Sequence, residues 1–362
     1  MKVARTYAGK PQSSTWAGER LLPGFRPFHS EPPSASVVIM RLKRAFFALV
    51  LFGSLPIAQA APARPAAGAV SEGCSEKSSG GYRCFYGPFE ARYDPEEDDD
   101  AYDLIEPVPE AGYITSMYAT LVDENGERVG RHEAHLHHVV FANPNKPNRM
   151  CGSSLPADLF FASGKERTRM ELPDGYGYYW DGQSPPYYPS ASPTWAMAYH
   201  LMTMHKGHET DVFVRLDLGF EAAEEGTLID VTPLWMDVTD CSAEPIFDVR
   251  KGSGSRGVYK KTLEMTAPVG GTFVALGGHL HDGGLKLRLD NVTTGEKLWV
   301  SRPTYGKAYG GWDLRKMSSF SGTDGPTVEP LDRLRLTAYY DSTHRWNNVM
   351  GIMIGALAPT PD

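Results

Sequence analysis

The sequence has 362 residues, 41% of them hydrophobic and 11% aromatic, an ordinary globular composition that excludes disordered and fibrous chains. The first 60 residues hold eight Lys and Arg against two Glu, so the rest carries 28 basic and 42 acidic side chains, a formal net charge of −14. That sign argues against nucleic acid as a partner, since phosphate binding needs a basic surface.

From Met40 the chain reads MRLKRAFFALVLFGSLPIAQA. A basic start, an apolar run from Ala45 to Leu55 and the small-residue site Ala58-Gln59-Ala60 are the marks of a secretory signal. Residues 1–60 are therefore expected to be leader and signal, with translation starting at Met40 and Ala61 the first mature residue. No later segment approaches the roughly 20 apolar residues of a spanning helix. The expected product is secreted or periplasmic, with no membrane association after cleavage. Residues 61–72, low in complexity at Ala61 to Ala69, read as a linker.

The run Asp94-Pro95-Glu96-Glu97-Asp98-Asp99-Asp100 lacks the spaced ligands and turn glycine of a calcium loop, and reads as a solvated acidic loop. Four cysteines in an exported chain favour two disulfides. Three pairings exist; Cys74 with Cys84 and Cys151 with Cys241 is the one preferred.

The remainder predicts an all-β protein. DVFVRLDLGF (211–220) alternates Val212, Val214, Leu216 and Leu218 against polar neighbours, the period of a strand with one buried face. Residues 271–280, 284–290, 296–300 and 333–340 repeat that character, and no dozen residues sustain a helical period. With 28 prolines and 37 glycines to make turns, the expected architecture is two antiparallel β-sandwich, jelly-roll domains, 73–239 and 240–362, with a loop at 251–257. The aromatic stretch 175–189 reads as a packed loop, with a binding wall as the alternative.

Histidines cluster on these strands. His132, His135, His137 and His138 fall within seven residues, His200, His205 and His208 within nine, and His279 and His281 sit in GGHLHDGG. Side chains two apart on a strand share a face with Cα atoms about 6.6 Å apart, so His279 and His281 can meet one metal ion. His135 and His137 share a face in the same way. His137 and His138 share an ion only if the strand bends, bulges or ends there. His205 precedes Lys206-Gly207 at a strand end, and Met350 lies on the last strand six residues after His344. Imidazole suits copper, zinc, iron and nickel, whereas a thioether narrows the choice towards copper(I). Met197, Met202, Met204 and Met353 read as core fillers, His132 and His208 as surface residues. His200 alternates away from His205 and reads as a core or rim histidine. Asp282 and Asp341 are candidates for orienting the imidazoles.

The order HLHHVVFAN, LMTMHKGH, GGHLHDGG and YYDSTHRWNNVMGIM resembles the copper type II, ascorbate-dependent monooxygenases, which include peptidylglycine alpha-hydroxylating monooxygenase. It is more similar still to the stress-up-regulated nodulin family and its bacterial relatives, over roughly Tyr113 to Leu357. The resemblance implies two jelly rolls and two copper ions, one held by His137, His138 and His205, the other by His279, His281 and Met350, where oxygen is activated. His135 and His344 are further ligand candidates. The implied reaction is hydroxylation of a C–H bond by O2 with ascorbate or a similar reductant, on a small-molecule or extended substrate. Gly277 stands where the peptide-amidating members carry an arginine, and Val139 where they carry a methionine, so peptide amidation does not carry over. Two alternatives are a non-catalytic copper-binding stress protein and a jelly-roll hydrolase or carbohydrate-binding protein.

Overall fold

Hydrophobic alternation along the chain is realised almost entirely as strands. The structure, a computed structural model, describes residues 70–94, 100–184, 192–203, 205–307 and 309–360. The expected signal, most of the linker and the middle of the acidic run lie outside the described residues.

In chain order the first strands are β1 (Gly73–Glu76), β2 (Tyr82–Ala91), β3 (Ala101–Ile105), β4 (Gly112–Val122), β5 (Ala134–Pro147) and β6 (Ala157–Gly164). They are followed by β7 (Arg169–Glu171), β8 (Tyr176–Trp180), β9 (Trp195–Thr203), β10 (Thr210–Glu221), β11 (Ile229–Asp230) and β12 (Thr232–Asp237). The rest are β13 (Ile246–Val249), β14 (Val258–Thr266), β15 (Gly271–Leu280), β16 (Gly284–Asn291), β17 (Lys297–Ser301), β18 (Pro303–Gly306) and β19 (Asp313–Met317). Last come β20 (Ser319–Ser321), β21 (Thr327–Val328), β22 (Arg333–Asp341) and β23 (Trp346–Ala358). Among the described residues the only helical pieces are two short 3-10 turns. The protein is all-β, and the strands expected at 211–220, 271–280, 284–290, 296–300 and 333–340 are β10, β15, β16, β17 and β22. The aromatic stretch supplies β8 rather than a loop, because Tyr178 and Trp180 alternate into the core.

Two sheets, β1-β2-β10-β4-β8-β11 and β3-β9-β5-β6, enclose one apolar core. Val212, Val214, Leu216 and Leu218 of β10 point into it, while Asp217 turns outward to Arg83 at 2.6 Å. A second core lies between the sheets β12-β23-β15-β20 and β14-β22-β16-β17. Val349, Met353 and Leu357 of β23 face it. The alternate residues Met350 and Ile352 face the other way, into a third cluster with Trp235 of β12 and with Val140 and Leu159 of β5 and β6. A strand buried on both faces thus joins the second core to the outer face of the first sandwich. Disulfides link Cys74 to Cys84 and Cys151 to Cys241, the pairing preferred from the sequence.

Candidate metal centre

Adjacent histidines on a regular strand point to opposite faces, and β5 solves this with a bulge. Leu136 pairs with Leu201 of β9, but His138 pairs with His200, so His137 is an extra residue opposite no partner of its own. Core-facing positions change parity across it: Ala134 and Leu136 enter the first core before the bulge, Val139 and Phe141 after it. His137 and His138 both fall between two inward residues and leave the core together. His200, directly across from His138, joins them. One nitrogen from each of the three buried imidazoles lies within 4.8 Å of the others. Nδ1 of His137 is 3.3 Å from Nδ1 of His138. Two nitrogens bound at about 2.0–2.1 Å to one tetrahedral ion are separated by roughly that distance.

Carboxylates back this group. Asp100 Oδ1 lies 3.0 Å from His138 Nε2 and 3.6 Å from His200 Nδ1, and Asp94 Oδ2 lies 3.1 Å from His200 Nε2. Burial opposes charge on Asp100, but the hydrogen bond from His138 and the charges of His138 and His200 outweigh it, so its carboxyl is held below the ordinary range. The two ends of the acidic run therefore sit on histidines, which corrects the reading of that run as wholly solvated.

The second group is built on β15 and the turn after it. His279 lies beside the turn Gly164–Arg167, closed by Arg167 N–H donating to the Gly164 carbonyl at 2.8 Å. Glu166 of this turn, 3% exposed, brings Oε2 to 3.1 Å from His279 Nδ1. Thr168 Oγ1 donates to the other oxygen at 3.0 Å. Burial pushes the Glu166 carboxyl up, yet the His279 charge and these hydrogen bonds prevail and hold it low. Only glycine fits at 164. A Cβ there would meet the His137 carbonyl oxygen at 2.7 Å and both Glu166 Oε2 and His279 Cε1 at 2.8 Å. With Nδ1 engaged, His279 Nε2 is buried and has no hydrogen-bond partner among the described residues. That is the arrangement of a histidine readied for a metal, with a carboxylate on one nitrogen and a lone pair on the other.

His281 follows two residues later, directly after the end of β15, its ring centroid 5.1 Å from that of His279 and 4.5 Å from that of His137. The two histidine groups are thus in contact. Burial, then His281, His138, His200 and His135, push His137 well below the usual histidine range. Burial, then His279, His138, Lys165 and His200, do the same to His281. Both rings are neutral near pH 7, the form that binds metals. The glycines after His281 serve the turn: Gly283 has φ of 85° and packs against Trp346, where a Cβ would lie 2.3 Å from the indole.

His279 pairs with Ile352 of β23, and Met350, two residues along the same face, lies towards His281. Met350 is 4% exposed and lines, together with His279 and His138, a cavity of about 530 Å³.

The other expected ligands stand elsewhere. His205 is exposed on the turn after β9, its ring 5.9 Å from that of His208. His200, read from the sequence as a core or rim histidine, is the one that meets His137 and His138. His344 is exposed and bonded to Asp341 Oδ2 at 2.8 Å, beside Trp312 and Trp346. His135 is buried 6.4 Å from the His137 ring. Burial first, then Lys165 and Arg131, push its pKa down to about 3. Asp282 accepts from Lys165 Nζ at 2.7 Å and Leu314 N–H at 2.9 Å, pinning the two turns rather than orienting an imidazole. Cys151, Asp237 and Cys241 also converge, but the sulfurs are spent in the disulfide. Sequence reasoning missed Glu166, Asp94 and Asp100; only the flanking position of the last two on an acidic run offered a signal.

No protein-family profile matches the chain. It is similar to probable copper-dependent oxygenase M1 of a Phoma species, 28% identical over 242 residues that cover 64% of this chain and 57% of that protein. It is also similar to probable copper-dependent oxygenase clz3 of Cochliobolus lunatus, 26% identical over 222 residues that cover 58% of this chain and 64% of that protein. The chain thus matches less than two thirds of the length of either relative. Both are named as copper-dependent oxygenases, and neither bears the nodulin-like label.

Proposed function

We propose that this chain is an exported copper-dependent monooxygenase of two jelly-roll domains, hydroxylating a C–H bond with O2 and electrons from a reductant such as ascorbate. The observation that carries the reading is the buried, unpartnered Nε2 of His279, aligned by Glu166, on a cavity shared with Met350. The relatives' names and the His137, His138 and His200 group support it.

The residues fit two copper ions. His137, His138 and His200 offer neutral or carboxylate-backed imidazoles, a donor set that suits copper. His279, His281 and Met350 add a soft thioether, which favours copper(I). Bound copper would supply one-electron chemistry and a site for O2. Glu166, by accepting a hydrogen bond from Nδ1–H, fixes the His279 tautomer with its lone pair on Nε2. Asp100 and Asp94 do the corresponding work on His138 and His200. Met350 and Ile352 present an apolar wall beside His279, which favours a C–H bond over water at that position. Contact between the His137 and His281 rings makes the two donor sets neighbours.

Metal analysis of protein purified without chelators tests the proposal, together with ascorbate-dependent O2 consumption. Two coppers per chain are expected, falling to about one in either His200→Ala or His281→Ala and unchanged in His205→Ala. Retention of both ions in His200→Ala, or a loss in His205→Ala, would refute the ligand set. Copper binding without any oxygen consumption would leave a copper-holding protein instead of an oxygenase.

A further inference from the structure

The cavity beside His279 and Met350 has a polarity that the metal ligands do not explain. Its volume of about 530 Å³ is that of a site for a small organic molecule. Val140, Leu159, Ala162, Trp235, Ile352 and Ile354 make an apolar wall. Across from this wall three cations, Arg167 of the turn Gly164–Arg167, Arg169 of β7 and Arg315 of β19, line the same space.

Two of these arginines are matched. Arg169 pairs with Glu171 at 3.4 Å, and Arg315 pairs with Asp313. Arg167 differs. Among the described residues its guanidinium has no hydrogen bond or ion pair, and the neighbouring Glu166 is spent on His279 and Thr168. It is half-buried. Partial desolvation and then the positive charge of Arg128 act against it, Tyr118 offsets them in part, and Arg315 adds to them, an unfavourable setting for a cation that lacks an anion. Its backbone is also costly, with φ of 55° in the left-handed region that glycine occupies freely. An arginine in a glycine's conformation, unmatched and facing an apolar cavity, calls for a ligand that supplies the missing charge.

We propose that the cavity binds an apolar small molecule bearing a carboxylate, with Arg167 as the seat of the carboxylate and the hydrocarbon body lying along the wall towards His279 and Met350. A guanidinium fork matches the two oxygens of a carboxylate and binds them through charge-assisted hydrogen bonds. This names the substrate class for the oxygenase reading and rests on it only for the chemistry; binding itself needs no copper.

The test therefore uses copper-free protein of the full chain. Binding of 4-phenylbutyrate, its amide and 4-phenylbutylamine is measured by calorimetry, with Trp235 fluorescence as a second readout. The carboxylate is expected to bind at least tenfold more tightly than the amide, and the amine most weakly. Arg167→Met should abolish the preference for carboxylate over amide, and Arg167→Lys should retain part of it. Arg167→Gly guards against a folding artefact: relieved of the left-handed strain, it should melt at or above the parent temperature and still lose the preference. Equal binding of amide and carboxylate by the parent protein, or a preference that survives Arg167→Gly, overturns the proposal. If the protein carries no copper yet shows the Arg167-dependent preference, the oxygenase reading fails and the anion site stands.

Discussion

Buried carboxylates in this protein go opposite ways according to their partners. Glu166 meets a histidine and is held low, whereas Asp158 meets the Tyr178 hydroxyl at 3.1 Å, itself contacted by Asn143 Nδ2 at 3.2 Å. For Asp158, burial outweighs the Tyr178 hydrogen bond and the Lys146 charge, and its pKa rises from 3.8 to about 7. Between about pH 4 and pH 7 the folded protein therefore holds a proton that the unfolded chain has released, and stability falls as pH rises through that window. Three units correspond to at most about 4 kcal/mol, as an order of magnitude. Asp158→Asn keeps an acceptor for Tyr178 and removes the titration. In urea unfolding at pH 5 and pH 8, the variant should gain on the parent at the higher pH. A gap between the two proteins that does not change with pH would refute the burial argument.

At the scale of the element, the bulge of β5 is a device with a separable purpose. Deleting His137 leaves Ala134, Leu136, Val139 and Phe141 with regular alternation, because Leu136 and Val139 are then separated by His138 alone. The deletion should keep the melting temperature within a few degrees of the parent while copper content falls by one ion. Deleting Val139 instead removes a core residue and disrupts the inward alternation after the bulge, and should unfold the sheet. A parent-like copper content in the His137 deletion would mean that the bulge does not make the site. The same element shows what was legible in the sequence. Strands such as β10 and β15 announce themselves because side-chain burial repeats locally with period two. HLHH shows four residues whose geometry depends on whether the strand bulges, and the bulge depends on pairing with β9, some sixty residues away. His200 was hidden for that reason: its parity could be read, but which side of β9 faced other imidazoles could not. Glu166 reaches His279 from a turn over a hundred residues distant, so no local spacing could have revealed it.

Across the whole molecule the candidate centre depends on segments far apart in sequence being held together, and the Cys151–Cys241 disulfide is the longest covalent tie among the described residues. It spans 90 residues, against 10 for Cys74–Cys84, which only staples β1 to its hairpin partner β2. Cys151 packs in the third cluster with Trp235 and Met350. The turn carrying Cys241 is fixed by Asp237, which accepts from Trp235 Nε1 at 3.2 Å, Thr239 N–H at 2.7 Å and Cys241 N–H at 3.1 Å. In the chain-entropy picture a closed loop of that length is worth about 4–5 kcal/mol, and the short hairpin loop about 3 kcal/mol. The paired variant Cys151→Ser with Cys241→Ser should therefore shift the denaturation midpoint further than Cys74→Ser with Cys84→Ser. It should also weaken binding of the carboxylate and the amide alike, since Cys151 packs against the cluster that holds Trp235 in the apolar wall, while the hairpin variant leaves both affinities intact. If the hairpin pair proves the more damaging, the cavity wall is held by packing among Trp235, Met350 and Ile352 without help from the covalent tie.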